Sequence, residues 1–114
     1  MVDLLAKRIA DERRAARARA DRLRALVGDA ACLLGRHGAR RVWLFGSLAG
    51  DGAPHARTDV DLAAEGLPEL GLIRTILEVE ELLGARVDLV RLEEASDGLR
   101  SRILAEGREL DVAG

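Results

Sequence analysis

Val42-Trp43-Leu44-Phe45-Gly46-Ser47 and Thr58-Asp59-Val60-Asp61-Leu62 are the two stretches from which the rest of this chain can be read. The first is an apolar run that drops into two small residues; the second alternates acid with aliphatic. Side chains alternate between the faces of a strand, so Asp59 and Asp61 point the same way, about 6.6 Å apart at roughly 3.3 Å per residue. Two anions on one face repel unless a cation sits between them. The pair therefore reads as a metal chelate, and the small-residue turn across from it as a seat for phosphate.

Working outward, Arg41 to Phe45 is too short for a helix and is bounded by glycine, so it reads as a first strand. Residues 46 to 57 carry Gly46, Gly50, Gly52 and Pro54 and read as a loop with at most one helical turn after Ser47. Thr58 to Ala64 is the second strand. Pro68-Glu69 suits a helix start, because proline and an early acid both fit a first turn. Leu70, Ile73, Ile76, Leu77, Val79, Leu82 and Leu83 then recur at helical spacing up to Gly84. Arg86 to Leu92 alternates charged and apolar residues, the mark of a half-buried strand. Ser96 or Asp97 caps a final helix through Leu99, Ile103 and Leu104 that ends near Gly107.

Upstream, residues 3 to 37 contain no proline and are dominated by Ala, Leu and Arg. Leu4, Leu5, Ile9, Leu23, Leu26, Val27, Ala30, Leu33 and Leu34 recur three and four apart, which predicts one long amphipathic helix ending at Gly35 or Gly38. Its middle, Asp11 to Asp21, is nearly all Arg, Ala and acid, so that stretch is expected to be exposed or bent. The predicted order is helix, strand, strand, helix, strand, helix. At 114 residues this makes one domain, a helix over 1–38 followed by a core over 40–114.

Composition excludes several classes. With 48% hydrophobic and 33% charged residues the chain is globular rather than disordered. Trp43 and Phe45 are its only aromatics, so it has no stacking platform for single-stranded nucleic acid, and sequence-specific readout is not expected. The net charge of −2 hides an asymmetry, since residues 1–41 hold 11 basic and 5 acidic side chains. That excess reads first as a solvated helix face. The single cysteine, Cys32, lies among Ala and Leu and reads as a buried structural thiol. No stretch approaches the roughly 20 apolar residues of a membrane span, and no signal-peptide core is present, so a cytoplasmic protein is expected.

Asp88 is the third acid. Val87 and Leu89 alternate with it, so its carboxylate leaves the core side and faces the same cleft as Asp59 and Asp61 if the two strands are neighbours. Three carboxylates with no Cys or paired His favour a hard cation, Mg²⁺ or Mn²⁺, over zinc. Gly46 lets the backbone approach a triphosphate, and Ser47 adds a hydroxyl donor. His55, in the glycine-rich loop, and His37, at a helix end, lack partners at metal-ligand spacing. Trp43 and Phe45 read as core residues.

Leu44-Phe45-Gly46-Ser47, Thr58-Asp59-Val60-Asp61-Leu62 and Val87-Asp88-Leu89-Val90, in that order, resemble the minimal nucleotidyltransferases of the DNA polymerase β-like superfamily. Leu99 to Gly107 also resembles that family's closing helix and glycine. The resemblance implies an α/β (α+β) fold, a small mixed sheet flanked by helices. It also implies metal ligands at Asp59, Asp61 and Asp88, with Asp88 alternatively the base for an acceptor hydroxyl, and a nucleotide held by Gly46, Ser47 and Thr58. Mg²⁺ or Mn²⁺ would be the cofactor and ATP the substrate. Small members of this family are often antitoxins paired with HEPN toxins, and some transfer AMP onto a toxin tyrosine.

Two departures stand out. An arginine often follows the Gly-Ser pair, whereas here Leu48-Ala49-Gly50 follows, with Arg57 as the candidate replacement. Eleven residues, Leu48 to Thr58, separate Ser47 from Asp59, one more than is usual, and Thr58 stands where serine is typical. The leading expectation is AMP transfer to a hydroxyl on a HEPN toxin that docks against the basic, apolar-striped first helix. The alternative is an interaction module that neutralises its partner by binding alone.

Overall fold

The computed structural model describes residues 3–50 and 59–113, so the expectations placed on His55, Arg57 and Thr58 lie outside the described residues. A long helix α1 (Asp3–Arg36) leads into strand β1 (Arg41–Phe45) and a 3₁₀ turn (Gly46–Ala49). Then come β2 (Val60–Glu65), α2 (Leu72–Leu83), β3 (Val87–Arg91), a 3₁₀ turn (Leu92–Glu94), α3 (Asp97–Glu106) and β4 (Arg108–Leu110). The four strands form one mixed sheet in the order β3-β2-β1-β4. β1 runs antiparallel to both β2 and β4, while β2 and β3 are parallel. A parallel pair needs a crossover, and α2 supplies it.

Each face of the sheet has its own packing. Val42 and Leu44 of β1, with Val60, Leu62 and Ala64 of β2, meet α1 and α2 in the larger core. The alternate residues Trp43 and Ala63 face the other way and pack with Leu92 and Ile103, against which Phe45, Val90 and Leu99 lean. Trp43 is 2% exposed, as expected of a core residue. The registers Phe45↔Asp61 and Trp43↔Ala63 continue that second face past the edge of α3. Asp61 therefore lies where the helical cover ends.

Of α1, only the second half is folded against the rest. Its buried residues begin at Ala20 and continue through Leu23, Val27, Ala30, Ala31 and Leu34. The Arg-rich middle is helical and exposed, because Ala and Arg are strong helix formers that need no packing partner. Leu4, Leu5 and Ile9 remain 74%, 65% and 40% exposed. The helix accordingly sets the 56 Å long dimension of the molecule.

Several boundaries differ from expectation. α2 starts at Leu72 rather than Pro68, because Gly71 takes a left-handed conformation (φ 78°) that a helix cannot include, and Leu72 N–H bonds back to Glu69 O at 3.2 Å. The packing stripe shifts with it to Thr75, Val79 and Leu83, leaving Leu70, Ile73 and Leu77 exposed. Among the apolar residues of α3, Ile103 is buried but Leu104 is half-exposed. β4 was not expected; it is a three-residue strand tied to β1 by the Arg41–Glu109 pair, with nitrogen–oxygen distances of 3.0 and 2.8 Å. Cys32 is half-buried rather than fully buried, its Sγ 3.8 Å from Asp111 O.

Other expectations hold. α2 closes at Gly84, whose N–H donates to Glu80 O. His37 follows the end of α1 and its Nε2 lies 2.9 Å from Glu78 Oε2, tying that end to α2. Ser96 caps α3, its Oγ accepting from Leu99 N–H at 3.2 Å. Ser96→Ala should therefore cost about 1 kcal/mol, read as a fall of a few degrees in a thermal melt; an unchanged melt would mean the cap contributes nothing.

Candidate active site

β1 ends at Phe45 in extended geometry, and the next residue, Gly46, swings to φ 75° before the 3₁₀ turn begins. The reversal brings the Gly46 backbone against the side chain of Asp61. A Cβ placed on Gly46 would overlap Asp61 Oδ2 and lie 3.0 Å from its Cγ and 3.2 Å from its Cβ. Glycine here meets two demands together, a left-handed backbone and a close approach.

Asp61 pairs in register with Asp88 across the parallel strands β2 and β3. Directly paired residues in a sheet project from the same face, so both carboxylates share the side occupied by Phe45 and α3. Asp59 immediately precedes β2, where Val60 N–H bonds Arg86 O at 3.0 Å. Asp61 is half-buried, whereas Asp59 and Asp88 are exposed. Burial pushes the Asp61 carboxyl above its usual range, and the charges of Asp88 and then Asp59 push it further. Of the two arginines near Asp88 in sequence, Arg86 and Arg91, the second bonds Glu94 and Leu67 O instead.

A cleft of about 600 Å³ runs from Asp61 toward α3. Its walls are Phe45, Gly46, Ala49, Gly50 and Asp61 on one side and Leu99, Arg102, Ile103 and Glu106 on the other. That volume suits a nucleotide-sized ligand. Asp59, Asp88 and Ser47 stand outside this lining, Ser47 exposed beside it. The α3 contribution was missed from sequence, although its signal is present: Leu99, Arg102, Ile103 and Glu106 fall at i, i+3, i+4 and i+7, one helix face.

Leu48, which follows the Gly-Ser pair, is buried in the larger core. An arginine from α1 reaches the same loop from behind. Arg24 donates from Nε to Leu48 O at 3.1 Å and from a terminal nitrogen to Gly50 O at 3.0 Å. Both carbonyls thereby have a charged donor, which ties the end of the turn to α1.

The donor set fits a hard divalent cation. It is all oxygen, it has no cysteine or histidine among its members, and the like charges around Asp61 repel in the absence of a counter-ion. Among the described residues no three His, Cys, Asp or Glu side chains are already drawn close enough together to hold a metal ion. The register places Asp61 and Asp88 on one face of the sheet, and Asp59 stands just before β2.

Comparison with known proteins bears on the same segment. Residues 33–111 match the family described as polymerase beta, nucleotidyltransferase. The chain belongs to this nucleotidyltransferase family. A Methanocaldococcus jannaschii relative named as a putative protein adenylyltransferase is 35% identical over 77 residues, 65% of this chain and 82% of the relative. The solved structure of a putative minimal nucleotidyltransferase superposes with a TM-score of 0.58 at 34% identity, covering 83% of this chain and 92% of that one. A structure of tri-AMPylated Shewanella oneidensis HEPN toxin in complex with MNT antitoxin contains a chain matching at TM-score 0.55 and 25% identity. That match covers 69% of this nucleotidyltransferase and 63% of the other chain, so this protein spans less than two thirds of it. The mixed four-stranded sheet with three helices is the fold of the minimal nucleotidyltransferases.

Proposed function

We propose that this nucleotidyltransferase moves AMP from ATP to a hydroxyl, that of a tyrosine, on a partner HEPN toxin and so acts as its antitoxin. The observation that carries the reading is the in-register pairing of Asp61 with Asp88 beside the Gly46 turn. The names of its relatives, an adenylyltransferase and an antitoxin bound to an AMPylated toxin, point the same way.

Asp59, Asp61 and Asp88 would hold Mg²⁺ or Mn²⁺. Such an ion, when bound, neutralises phosphate charge and steadies the departing pyrophosphate. The chain's own residues do the rest. Gly46 brings backbone amides up to the phosphates, and the exposed Ser47 hydroxyl donates to them. Arg24 fixes the far end of the same turn through the Leu48 and Gly50 carbonyls. As the base rather than the third ligand, Asp88, the exposed carboxylate of the pair, would accept the proton of the acceptor hydroxyl. The acceptor oxygen then bonds to the α-phosphorus as the α-phosphorus–oxygen bond to pyrophosphate breaks, which balances the transfer.

The partner would dock on the projecting half of α1, where Leu4, Leu5 and Ile9 are uncovered beside Lys7 and Arg8. The same surface favours a second reading, neutralisation by binding alone. Incubation with the partner, labelled ATP and Mg²⁺ separates the two. Label on the partner that disappears with Asp59→Asn supports transfer; full neutralisation by Asp59→Asn with no label supports binding.

A further inference from the structure

The described lining of the cleft holds two carboxylates, Asp61 and Glu106, and a single cation, Arg102. A nucleoside triphosphate brings further negative charge into that space. The 3₁₀ turn offers none of the balance, since Leu48 is buried and the guanidinium of Arg24 is spent on main-chain carbonyls behind it. Arg102 is exposed and makes no ion pair or hydrogen bond among the described residues. Its neighbour Arg100 is occupied by Leu92 O at 2.9 and 3.2 Å, with Asp97 4.0 Å away.

Position supports the same role. Ile103, 1% exposed, anchors α3 to the sheet beside Trp43 and Ala63. Arg102 is the adjacent residue on that helix face, across the cleft from the Gly46 turn and Asp61. A guanidinium offers several donors in a planar fork matched to phosphate oxygens. Anchored by Ile103 and carrying no competing partner, it meets a phosphate chain at little cost in reorganisation.

Resting on the nucleotidyltransferase reading above, we propose that Arg102 contacts the phosphate chain of the triphosphate from α3, opposite the Gly46–Ser47 turn. It acts on nucleotide affinity and on pyrophosphate charge, and it does not take part in acceptor recognition.

The test compares unaltered protein, Arg102→Ala and Arg102→Lys for binding of a non-hydrolysable ATP analogue with Mg²⁺, for binding of AMP, and for transfer to the partner. A charge-assisted contact predicts that Arg102→Ala weakens the ATP analogue about tenfold to a hundredfold. AMP binding should change far less, the KM for ATP should rise with the melt unchanged, and Arg102→Lys should recover part of the loss. Equal losses for AMP and the ATP analogue would overturn the proposal. So would unchanged ATP binding with a raised KM for the partner, which would place Arg102 at the acceptor. If Asp59→Asn abolishes transfer while Arg102→Ala changes nothing, this inference fails and the function stands. If unaltered protein neither binds the analogue nor transfers label, both fall together.

Discussion

Asp61→Asn is expected to abolish nucleotidyl transfer and to raise the melting temperature in metal-free buffer. The loss of activity should be at least about a thousandfold, the upper end of what one preorganised electrostatic group is worth, because Asp61 alone touches Gly46, lines the cleft and pairs with Asp88. The gain in stability follows from its raised pKa. Burial, and then Asp88 and Asp59, disfavour the charged form in the folded protein. The native state thus binds more protons than the unfolded chain between the usual aspartate value of 3.8 and the raised folded value, so stability falls as pH rises through that window. Above that window the penalty is fully present, and asparagine removes it.

Because Asp61 is only partly buried, solvent screens much of that repulsion, and the gain should be about 1 kcal/mol or less, a few degrees in a melt. Below pH 3.8 the two proteins should melt together. Added Mg²⁺ should reverse the ranking by stabilising the unaltered protein through binding and leaving the variant unmoved. A variant that melts lower than the unaltered protein at neutral pH, without metal, would contradict this account of Asp61.

The same electrostatics explain what could be read before any coordinates. Alternation alone put Asp59 and Asp61 on one face, and Val87-Asp88-Leu89 put the third acid opposite its own core side. That β3 lies next to β2 in register Asp61↔Asp88 was not legible, since a one-residue slip would send Asp88 to the other face. Contacts distant in sequence accompany that register, among them Val60 N–H to Arg86 O at 3.0 Å and Val87 N–H to Glu80 of α2 at 2.9 Å. The role of α3 was hidden for a similar reason. Ser96 and Gly107 marked its ends, but which residues border a cleft depends on where the helix docks. Leu104, as apolar as Ile103, is left half-exposed because Ile103 takes the site beside Trp43.

Helix ends and short strands were the weaker readings. Leu70 and Ile73 have helical spacing with Ile76 and Leu77, yet Gly71 stands inside that pattern and its left-handed backbone delays the helix to Leu72. Arg108-Glu109-Leu110 is too short to show a period of two, and becomes a strand only because the edge of β1 is open to it. In α1 the spacing of Leu4, Leu5 and Ile9 matches that of Leu23 and Val27, but the sheet is too small to reach them. Periodicity reports a face that can be buried; the size of the partner decides how much of it is.

Gly46→Ala should cost both activity and stability, and Gly71→Ala isolates the part due to the backbone. The two glycines have nearly the same conformation, φ 75° at Gly46 and 78° at Gly71. Alanine at either pays the left-handed strain of about 1–2 kcal/mol. Their surroundings differ. Nothing lies within 4 Å of a Cβ at Gly71, whereas at Gly46 the new methyl group meets the carboxylate of Asp61. The side chain of Asp61 can rotate away more cheaply than the sheet can move, so Gly46→Ala should fold and melt only slightly below Gly71→Ala. The displaced carboxylate, however, leaves its place against the Gly46 turn, where the proposed metal site needs it. A misplacement of about 1 Å at a reacting centre costs on the order of a hundredfold in rate. Transfer by Gly46→Ala should fall by at least that much while Gly71→Ala keeps nearly full activity. Equal activities in the two variants would mean that the approach of Gly46 to Asp61 has no part in the chemistry.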